Sequence, residues 1–136
     1  MTKLIIAIMI GIFPSMEYQE GKASYYGEGN WHGSVMANGE QFDPYEKVCA
    51  HRQLPFGTKL AIVNKNNNRM AFCIVKDRGP FDIVDNKPVV DLNSKYERVL
   101  DTSIAVANEL RMREEGIVNV SIFVLEKSWY GSRKGE

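Results

Sequence analysis

Residues 70–81 read Met70-Ala71-Phe72-Cys73-Ile74-Val75-Lys76-Asp77-Arg78-Gly79-Pro80-Phe81, an apolar run that ends in a charged pair and a Gly-Pro turn. Apolar and β-branched residues of this kind favour extended backbone, which predicts a strand over residues 69–76. A strand that stops at Asp77 and turns at once places a carboxylate at the mouth of a fold and not in its core. Loops held on a rigid scaffold often carry acid–base chemistry, so Asp77 is the first candidate catalytic residue.

The bulk composition excludes one broad class of function. The chain has 136 residues, with 17 basic and 17 acidic side chains and no formal net charge. This length suits one compact domain with a modest core. A nucleic-acid-binding protein normally carries an excess of positive charge on one face, and this chain has none.

The N-terminal residues differ from the rest of the chain. Lys3 is followed by an uncharged apolar run of ten residues, from Leu4 to Phe13. Such a run has the length of a signal-peptide core and is too short to span a bilayer. We therefore expect residues 1–20 to be an export leader and linker, and the protein to act in the periplasm, the cell envelope or the medium. The alternative is that this run forms a buried first strand or helix.

The remainder of the chain alternates short apolar segments with turns rich in Gly, Pro and Asn. Strands are predicted over residues 22–26, around 48–50, and over 58–64, 69–76 and 118–125. A hairpin turn is predicted at 65–68, and the ambiguous stretch after Phe81 is interpreted as holding a small hairpin around 85–87. A helix is predicted over 102–112, capped by Thr102 or Ser103. The pattern predicts a mainly all-β fold, a small barrel with one short α-helix, followed by a polar tail at 128–136.

The two cysteines lie an even number of residues from two candidate site residues. Cys49 is two residues before His51, and Cys73 is four residues before Asp77. Even spacing on a regular strand places side chains on the same face, so a Cys49–Cys73 disulfide would join the two strands that carry the site. Two buried free thiols are the alternative, and a Cys–His metal site is disfavoured because no further ligands cluster nearby.

Five segments, in this order, resemble those of a known protein family. They are Gly21-Lys22-Ala23-Ser24-Tyr25-Tyr26-Gly27; Trp31-His32-Gly33 with Ala37-Asn38-Gly39-Glu40-Gln41-Phe42; Cys49-Ala50-His51-Arg52-Gln53-Leu54-Pro55-Phe56-Gly57-Thr58; Lys76-Asp77-Arg78-Gly79-Pro80-Phe81; and Arg98-Val99-Leu100-Asp101-Thr102-Ser103. On these segments the chain resembles the rare lipoprotein A family of septal peptidoglycan lytic transglycosylases, over about residues 21–125.

The resemblance implies a fold and a reaction. The fold would be a six-stranded double-psi β-barrel over residues 21–127, as in expansins and barwin-like proteins. The reaction would cleave the bond between N-acetylmuramic acid and N-acetylglucosamine in peptidoglycan glycan strands, without a metal or cofactor. In that reaction the 6-hydroxyl of the muramic acid attacks its own C1 and gives a 1,6-anhydro end. Because the substrate supplies the nucleophile, one carboxyl group can donate and then accept the proton, whereas ordinary glycosidases use two.

The resemblance also assigns roles to residues. Asp77 would be the general acid and base, and His51 a second catalytic residue that hydrogen-bonds Asp77 or the sugar. The expected substrate-binding residues are Tyr26, Asn38, Gly39, Glu40, Arg78 and Asp101. Structural roles are the alternatives: Asp77 would cap its own turn and pair with Arg78, and His51 would be a hydrogen-bonded structural residue. Tyr26 would pack in the core, and Asp101 would cap the helix.

Three departures from the family pattern leave other functions open. Met36 stands where the family has Thr, Lys76 stands where it has Asn, and residues 82–97 form an insertion. The insertion holds a second candidate for the Asp101 motif at Asp91, but Asp101 is preferred because the predicted helix follows it directly. The alternatives are a non-catalytic, expansin-like module that binds or loosens polysaccharide, and a barwin-type interaction protein. A monomer is expected.

Overall fold

The computed structural model describes residues 16–26, 34–89 and 98–127. The elements are β1 (Gln19–Tyr25), β2 (Val48–Ala50), β3 (Lys59–Asn64), β4 (Met70–Asp77), β5 (Asp82–Val84), β6 (Lys87–Val89), β7 (Arg98–Thr102), α1 (Ile104–Leu110) and β8 (Val118–Glu126). The apolar run of the predicted leader and the predicted polar tail lie outside the described residues. Within the described ranges, no helix has the length and apolar character needed to cross a membrane.

Six strands close into a barrel in the order β1-β7-β2-β4-β3-β8. The pairs β1–β7 and β2–β4 are parallel, and the other four neighbouring pairs are antiparallel. Full closure leaves these six strands without an unpaired edge. The predicted six-stranded barrel with one short helix is confirmed.

The barrel interior is filled by apolar side chains that every barrel strand contributes. Leu60, Ile62, Leu100, Val120 and Ile122 are all fully buried in this core. Helix α1 adds its apolar face to the same core. Burial of each such side chain stabilises the fold by roughly 1.5–3 kcal/mol, so the strands are held mainly from inside the barrel.

Helix α1 is shorter at both ends than predicted. Thr102 belongs to β7, and the N-cap is Ser103, whose Oγ accepts from the Val106 amide at 3.5 Å. The helix ends where Arg111 takes a left-handed conformation with φ 51°. The interpretation of Asp101 as the helix cap is therefore wrong, because Asp101 lies on β7, two residues before the true cap.

One strand begins three residues earlier than predicted, and another strand was not predicted at all. Strand β1 begins at Gln19, inside the predicted linker, because Gln19 and Glu20 pair with β8. Strand β7 was not predicted as a strand, and it lies between β1 and β2 in the barrel. The small hairpin in the insertion is confirmed as β5 and β6, joined at Asp85 and Asn86, which both have positive φ as such two-residue turns require.

Cys49 and Cys73 form the predicted disulfide, with their Cα atoms 5.9 Å apart. The predicted even spacing does not continue to Asp77. Cys49 pairs with Val75 and Ala50 pairs with Asp77, so one extra residue on β4 forms a bulge between them. Bulges of this kind re-aim the side chains that follow. Asp77 therefore takes the register position of Ala50 and not that of the cysteine.

Candidate active site

The Asp77 carboxylate stands at the end of β4 and is held by three hydrogen-bond donors. The Tyr26 hydroxyl donates to Oδ2 at 2.7 Å. The backbone amides of Ala37 and Arg78 donate to Oδ1 at 2.8 and 2.9 Å. The donors come from the end of β1, from the loop before β2 and from the turn that follows Asp77. Three donors from three segments fix the orientation of this carboxylate.

The carboxylate lies in a small pocket with largely apolar walls. The pocket has a volume of about 60 Å³ and is lined by Tyr26, Ser34, Val35, Met36, Phe42 and Asp77. Met36 and Phe42 are buried and pack together with Tyr26. The hydrogen bonds from Tyr26 and the Arg78 amide are partly buried, so less water competes for them than for the exposed bond from the Ala37 amide. Met36 gives the pocket an apolar wall at the position where the sequence resemblance leads one to expect Thr.

Tyr26 lines the pocket, and its hydroxyl donates to the Asp77 carboxylate, while its predicted contact with substrate stays a prediction. Its ring packs edge-on against Phe42, with the ring centres 5.0 Å apart. Burial, followed by the charge of Asp77, raises the pKa of the Tyr26 hydroxyl. The hydroxyl therefore stays protonated and remains able to donate to the carboxylate.

The loop that contributes the Ala37 amide carries three of the predicted substrate-binding residues, Asn38, Gly39 and Glu40, called the rim residues below. Asn38 donates through its backbone amide to the Lys76 carbonyl at 3.1 Å, and Glu40 forms an ion pair with Lys76 at 3.1 Å. Gly39 has φ 93°, a conformation that glycine adopts without strain. These contacts attach the loop to the end of β4. The structure thus brings Asn38, Gly39 and Glu40 close to Asp77.

The His51 ring is held away from the Asp77 carboxylate. Its Nδ1 accepts from the backbone amides of Gln53 and Leu54, both at 3.0 Å, and its Nε2 lies 2.9 Å from Oε1 of Gln19. Among the described residues, the ring makes no hydrogen bond to Asp77, so of the two predicted partners of His51 only the sugar stays a prediction. The connection runs through the backbone, where the His51 amide donates to the Asp77 carbonyl at 3.2 Å.

We expect the imidazole of His51 to titrate well below the usual range for histidine. Burial, and then the charges of Arg52 and Arg78, lower the pKa of His51 from 6.5 to about 4. Protonation is thus easier in the unfolded chain, so stability falls as the pH drops from 6.5 towards 4. The total loss from this group is on the order of 3 kcal/mol.

This titration is measurable by NMR. The chain has two histidines, so a His32→Gln variant leaves the His51 ring as the only imidazole signal. We expect the chemical shift of its ring protons to change with a midpoint near pH 4. A midpoint at the ordinary value for histidine would contradict the buried, amide-bound ring.

The Arg78 side chain folds back over the loop after β2. Its Nη1 donates to the carbonyls of His51 and Leu54 at 3.1 and 2.8 Å. Its guanidinium carbon lies 3.9 Å from the centre of the Phe56 ring, a cation–π contact. These contacts hold the guanidinium in one place beside Asp77.

Asp101 lies behind the Gly79-Pro80 turn. It accepts a hydrogen bond from the Ser24 hydroxyl, and Nη1 of Arg98 lies 3.7 Å from its Oδ1. A Cβ placed on Gly79 would lie 3.7 Å from Oδ2 of Asp101, so this carboxyl lies close to the turn. Burial raises the pKa of Asp101 above its ordinary value. Its predicted contact with substrate stays a prediction.

Sequence reasoning missed two contributors to the site. The Ala37 amide donates to Asp77, but a backbone donor carries no residue-type signal. Gln19 binds His51, but it lies in a stretch that reads as a linker. His32 and Asp91 lie outside the described residues. Among the residues described, no three His, Cys, Asp or Glu side chains are grouped so that they could hold a metal ion.

Comparison with known protein families gives a match over most of the chain. The profile of a family described as lytic transglycolase matches residues 18–122. A probable endolytic peptidoglycan transglycosylase RlpA of Nostoc is 37% identical over 107 residues, covering 78% of this chain and 25% of that protein. The corresponding protein of Aquifex aeolicus is 36% identical, covering 85% of this chain and 45% of that protein. The RlpA of Vibrio cholerae is 34% identical, covering 79% of this chain and 35% of that protein.

Two solved structures share the architecture at low sequence identity. The Streptomyces papain inhibitor superposes with a TM-score of 0.51 at 18% identity, covering 78% of this chain and 96% of that chain. The expansin of Clavibacter michiganensis superposes with a TM-score of 0.54 at 14% identity, covering 80% of this chain and 50% of that chain. These neighbours agree with the double-psi β-barrel expected from the sequence. The chain spans less than half the length of the RlpA proteins named above.

Proposed function

The chain belongs to the lytic transglycolase family, and from that membership we propose that it cleaves peptidoglycan glycan strands between N-acetylmuramic acid and N-acetylglucosamine, leaving 1,6-anhydromuramyl ends. The observation that carries the proposal is the Asp77 carboxylate, held by three donors in a small pocket with apolar walls. Peptidoglycan lies outside the cytoplasmic membrane. The proposal therefore places the working protein in the periplasm or cell envelope.

In the proposed reaction Asp77 acts twice. Its carboxyl group first gives a proton to the glycosidic oxygen while the bond from that oxygen to C1 of the muramic acid breaks. The resulting carboxylate then takes the proton from the 6-hydroxyl as O6 bonds to C1. The carboxyl group is restored, no water is consumed, and the product carries the anhydro ring. Positive charge that develops at C1 faces a negative carboxylate during the step.

The hydrogen bonds favour one oxygen of Asp77 as the proton carrier. Oδ1 faces two backbone N–H groups, of Ala37 and Arg78, and these groups cannot accept a proton. Oδ2 faces the Tyr26 hydroxyl, which can donate or accept by rotation. We assign the transferred proton to Oδ2, with Tyr26 as the positioning residue that orients it.

Two further features fit the proposed reaction: the apolar walls of the pocket and the position of His51. Met36 and Phe42 give the pocket apolar walls, and such walls disfavour water as a competing nucleophile. His51, which is neutral at ordinary pH, supports the loop between β2 and Phe56 through its hydrogen bonds to backbone amides. We assign it a positioning role, since a catalytic role would require its ring to leave three partners.

The proposal is tested by mass spectrometry of soluble fragments released from purified peptidoglycan sacculi, both intact and stripped of stem peptides by an amidase. Anhydromuramyl ends support the proposal. Reducing ends would mean hydrolysis, and the second carboxylate to examine would be Asp101. No fragments from either substrate would overturn the enzymatic proposal and leave a polysaccharide-binding or interaction module.

Tyr26→Phe should lower the rate of fragment release roughly tenfold, because a hydrogen bond to a charged carboxylate is lost while the ring packing against Phe42 is kept. The measurement is the initial rate on stripped sacculi. Tyr25→Phe is the matched control, since the Tyr25 hydroxyl donates to the Arg113 carbonyl, away from Asp77. Equal rates for the Tyr26 variant and the control would remove the positioning role.

A further inference from the structure

The guanidinium of Arg78 is held along one edge and open along another. Nη1 is occupied by two backbone carbonyls, and the planar face lies on the Phe56 ring. Within the described part of the chain, Nε and Nη2 have no hydrogen-bond partner, and neither is a buried atom left unpaired. The Arg78 guanidinium is therefore held in place while its Nε–H and Nη2–H groups remain available to a ligand.

The open edge has the geometry of an anion site. Nε–H and one Nη2–H point in parallel, and this side-on fork matches the two oxygens of a carboxylate. Holding the guanidinium in place beforehand reduces the entropy lost when an anion binds. The nearby carboxylate of Asp77 does not fill the fork, because its hydrogen bonds come from Tyr26, Ala37 and the Arg78 backbone.

A second arginine nearby is arranged differently. Nη1 of Arg52 also donates to two backbone carbonyls, those of Pro80 and Arg98, each at 2.9 Å. Its charge, however, acts on the buried carboxylate of Asp101, behind the turn. The Arg78 guanidinium, in contrast, lies within electrostatic range of the Asp77 carboxylate, whose charge acts on it.

We propose that Arg78 binds the lactyl carboxylate of the muramic acid residue at the cleavage position. This inference rests on the proposed function, which brings a muramic acid residue to Asp77. The lactyl group is attached to the same sugar ring as the C1 that reacts, so a cation next to Asp77 is within reach of it. Carboxylates at the far ends of stem peptides are many bonds away. A lactyl group joined to a peptide is an amide, which has one acceptor oxygen and no charge.

Binding measurements with two small ligands test this assignment without requiring cleavage. One ligand is the disaccharide of N-acetylglucosamine and N-acetylmuramic acid with a free lactyl carboxylate. The other is the same disaccharide with that group converted to its methylamide. We expect the native protein to bind the free carboxylate more tightly by roughly tenfold, the size of a charge-assisted bidentate contact. Arg78→Gln should remove the difference, and Arg52→Gln, the matched control, should keep it.

Several results would overturn the assignment. They are equal affinity of the native protein for the two ligands, an undiminished preference in folded Arg78→Gln, or a preference lost only in Arg52→Gln. Because Arg78→Gln also loses two bonds to backbone carbonyls, folding is checked by thermal unfolding. Arg78→Lys, which keeps the charge but not the fork, should lose most of the preference.

An NMR measurement on the native protein is independent of any variant. The Nε–H resonance of Arg78 should shift on addition of the free acid and not of the methylamide, and an unchanged resonance would contradict the assignment. The two proposals fail separately. Carboxylate preference without anhydromuramyl products would retain the site and reject the reaction, whereas cleavage without an Arg78-dependent preference would retain the reaction and reject the site.

Discussion

Asp77→Asn should lower the release of anhydromuramyl fragments by roughly a thousandfold, the scale on which a positioned acid–base group contributes. The amide has the shape of the carboxyl group and still accepts from the Ala37 and Arg78 amides. It cannot give a proton to the leaving oxygen or take one from the 6-hydroxyl. The measurement is quantitative mass spectrometry of fragments from stripped sacculi, with the unfolding midpoint recorded for each protein.

Asp85→Asn is the matched control, because Asp85 lies in the exposed turn of the β5–β6 hairpin. It should keep the native rate. If Asp77→Asn retains activity within tenfold of the native protein, Asp77 is not the acid and base, and Asp101→Asn becomes the next variant to measure. An unfolded Asp77→Asn protein would be replaced by Asp77→Glu, which keeps the acid but moves it along the side chain.

Replacing both cysteines with alanine should lower the free energy of unfolding by about 3 kcal/mol, since the disulfide closes a loop of this length in the unfolded chain. Cys49 and Cys73 are separated by 24 positions and join β2 to β4. Urea unfolding of the native and double-alanine proteins, without reductant, measures the difference. Native protein unfolded with excess reductant is the control, and it should match the variant within the cost of the two lost side chains.

A loss below 1 kcal/mol would show that the cross-link does little to restrict the unfolded chain. A changed denaturant slope would point instead to altered structure in the unfolded state. At temperatures where the variant remains folded, fragment release should fall far less than in Asp77→Asn. The core around the disulfide, with Val75 and Leu60, continues to hold the two strands together.

Local patterns predicted most of the fold. The apolar residues of β3, β4 and β8 predicted these strands. The turn between β3 and β4 was predicted from its asparagines, which tolerate left-handed backbone. Strand β7 carries Arg98 and Asp101, and its extended form depends on pairing with β1 and β2. Such pairing connects segments far apart in the chain, which no local pattern reveals.

Only part of the candidate site was predicted, because several of its contacts also depend on segments far apart in the chain. The motif around Asp77 identified the carboxylate and the neighbouring Arg78, and the structure places the rim residues beside it. The donors to that carboxylate include a backbone amide, which every residue but proline carries. The bulge at the end of β4 changes the face on which Asp77 lies. The His51 ring contacts Gln19, and Gln19 belongs to a strand only because it pairs with β8.

The strand order of the barrel has a consequence for folding. In the barrel, β1 lies between β7 and β8, which are the last two strands in the part of the chain that the structure describes. Bringing such distant segments together costs the entropy of closing a long loop, and this cost comes before the contacts stabilise the fold. Barrels of this kind are therefore expected to fold slowly compared with helical bundles. The barrel cannot close until the residues up to Glu126 are available to complete β8. Until β7 and β8 have been synthesised, β1 lacks both of its barrel partners, and the pocket around Asp77, to which Tyr26 contributes directly after β1, cannot be complete.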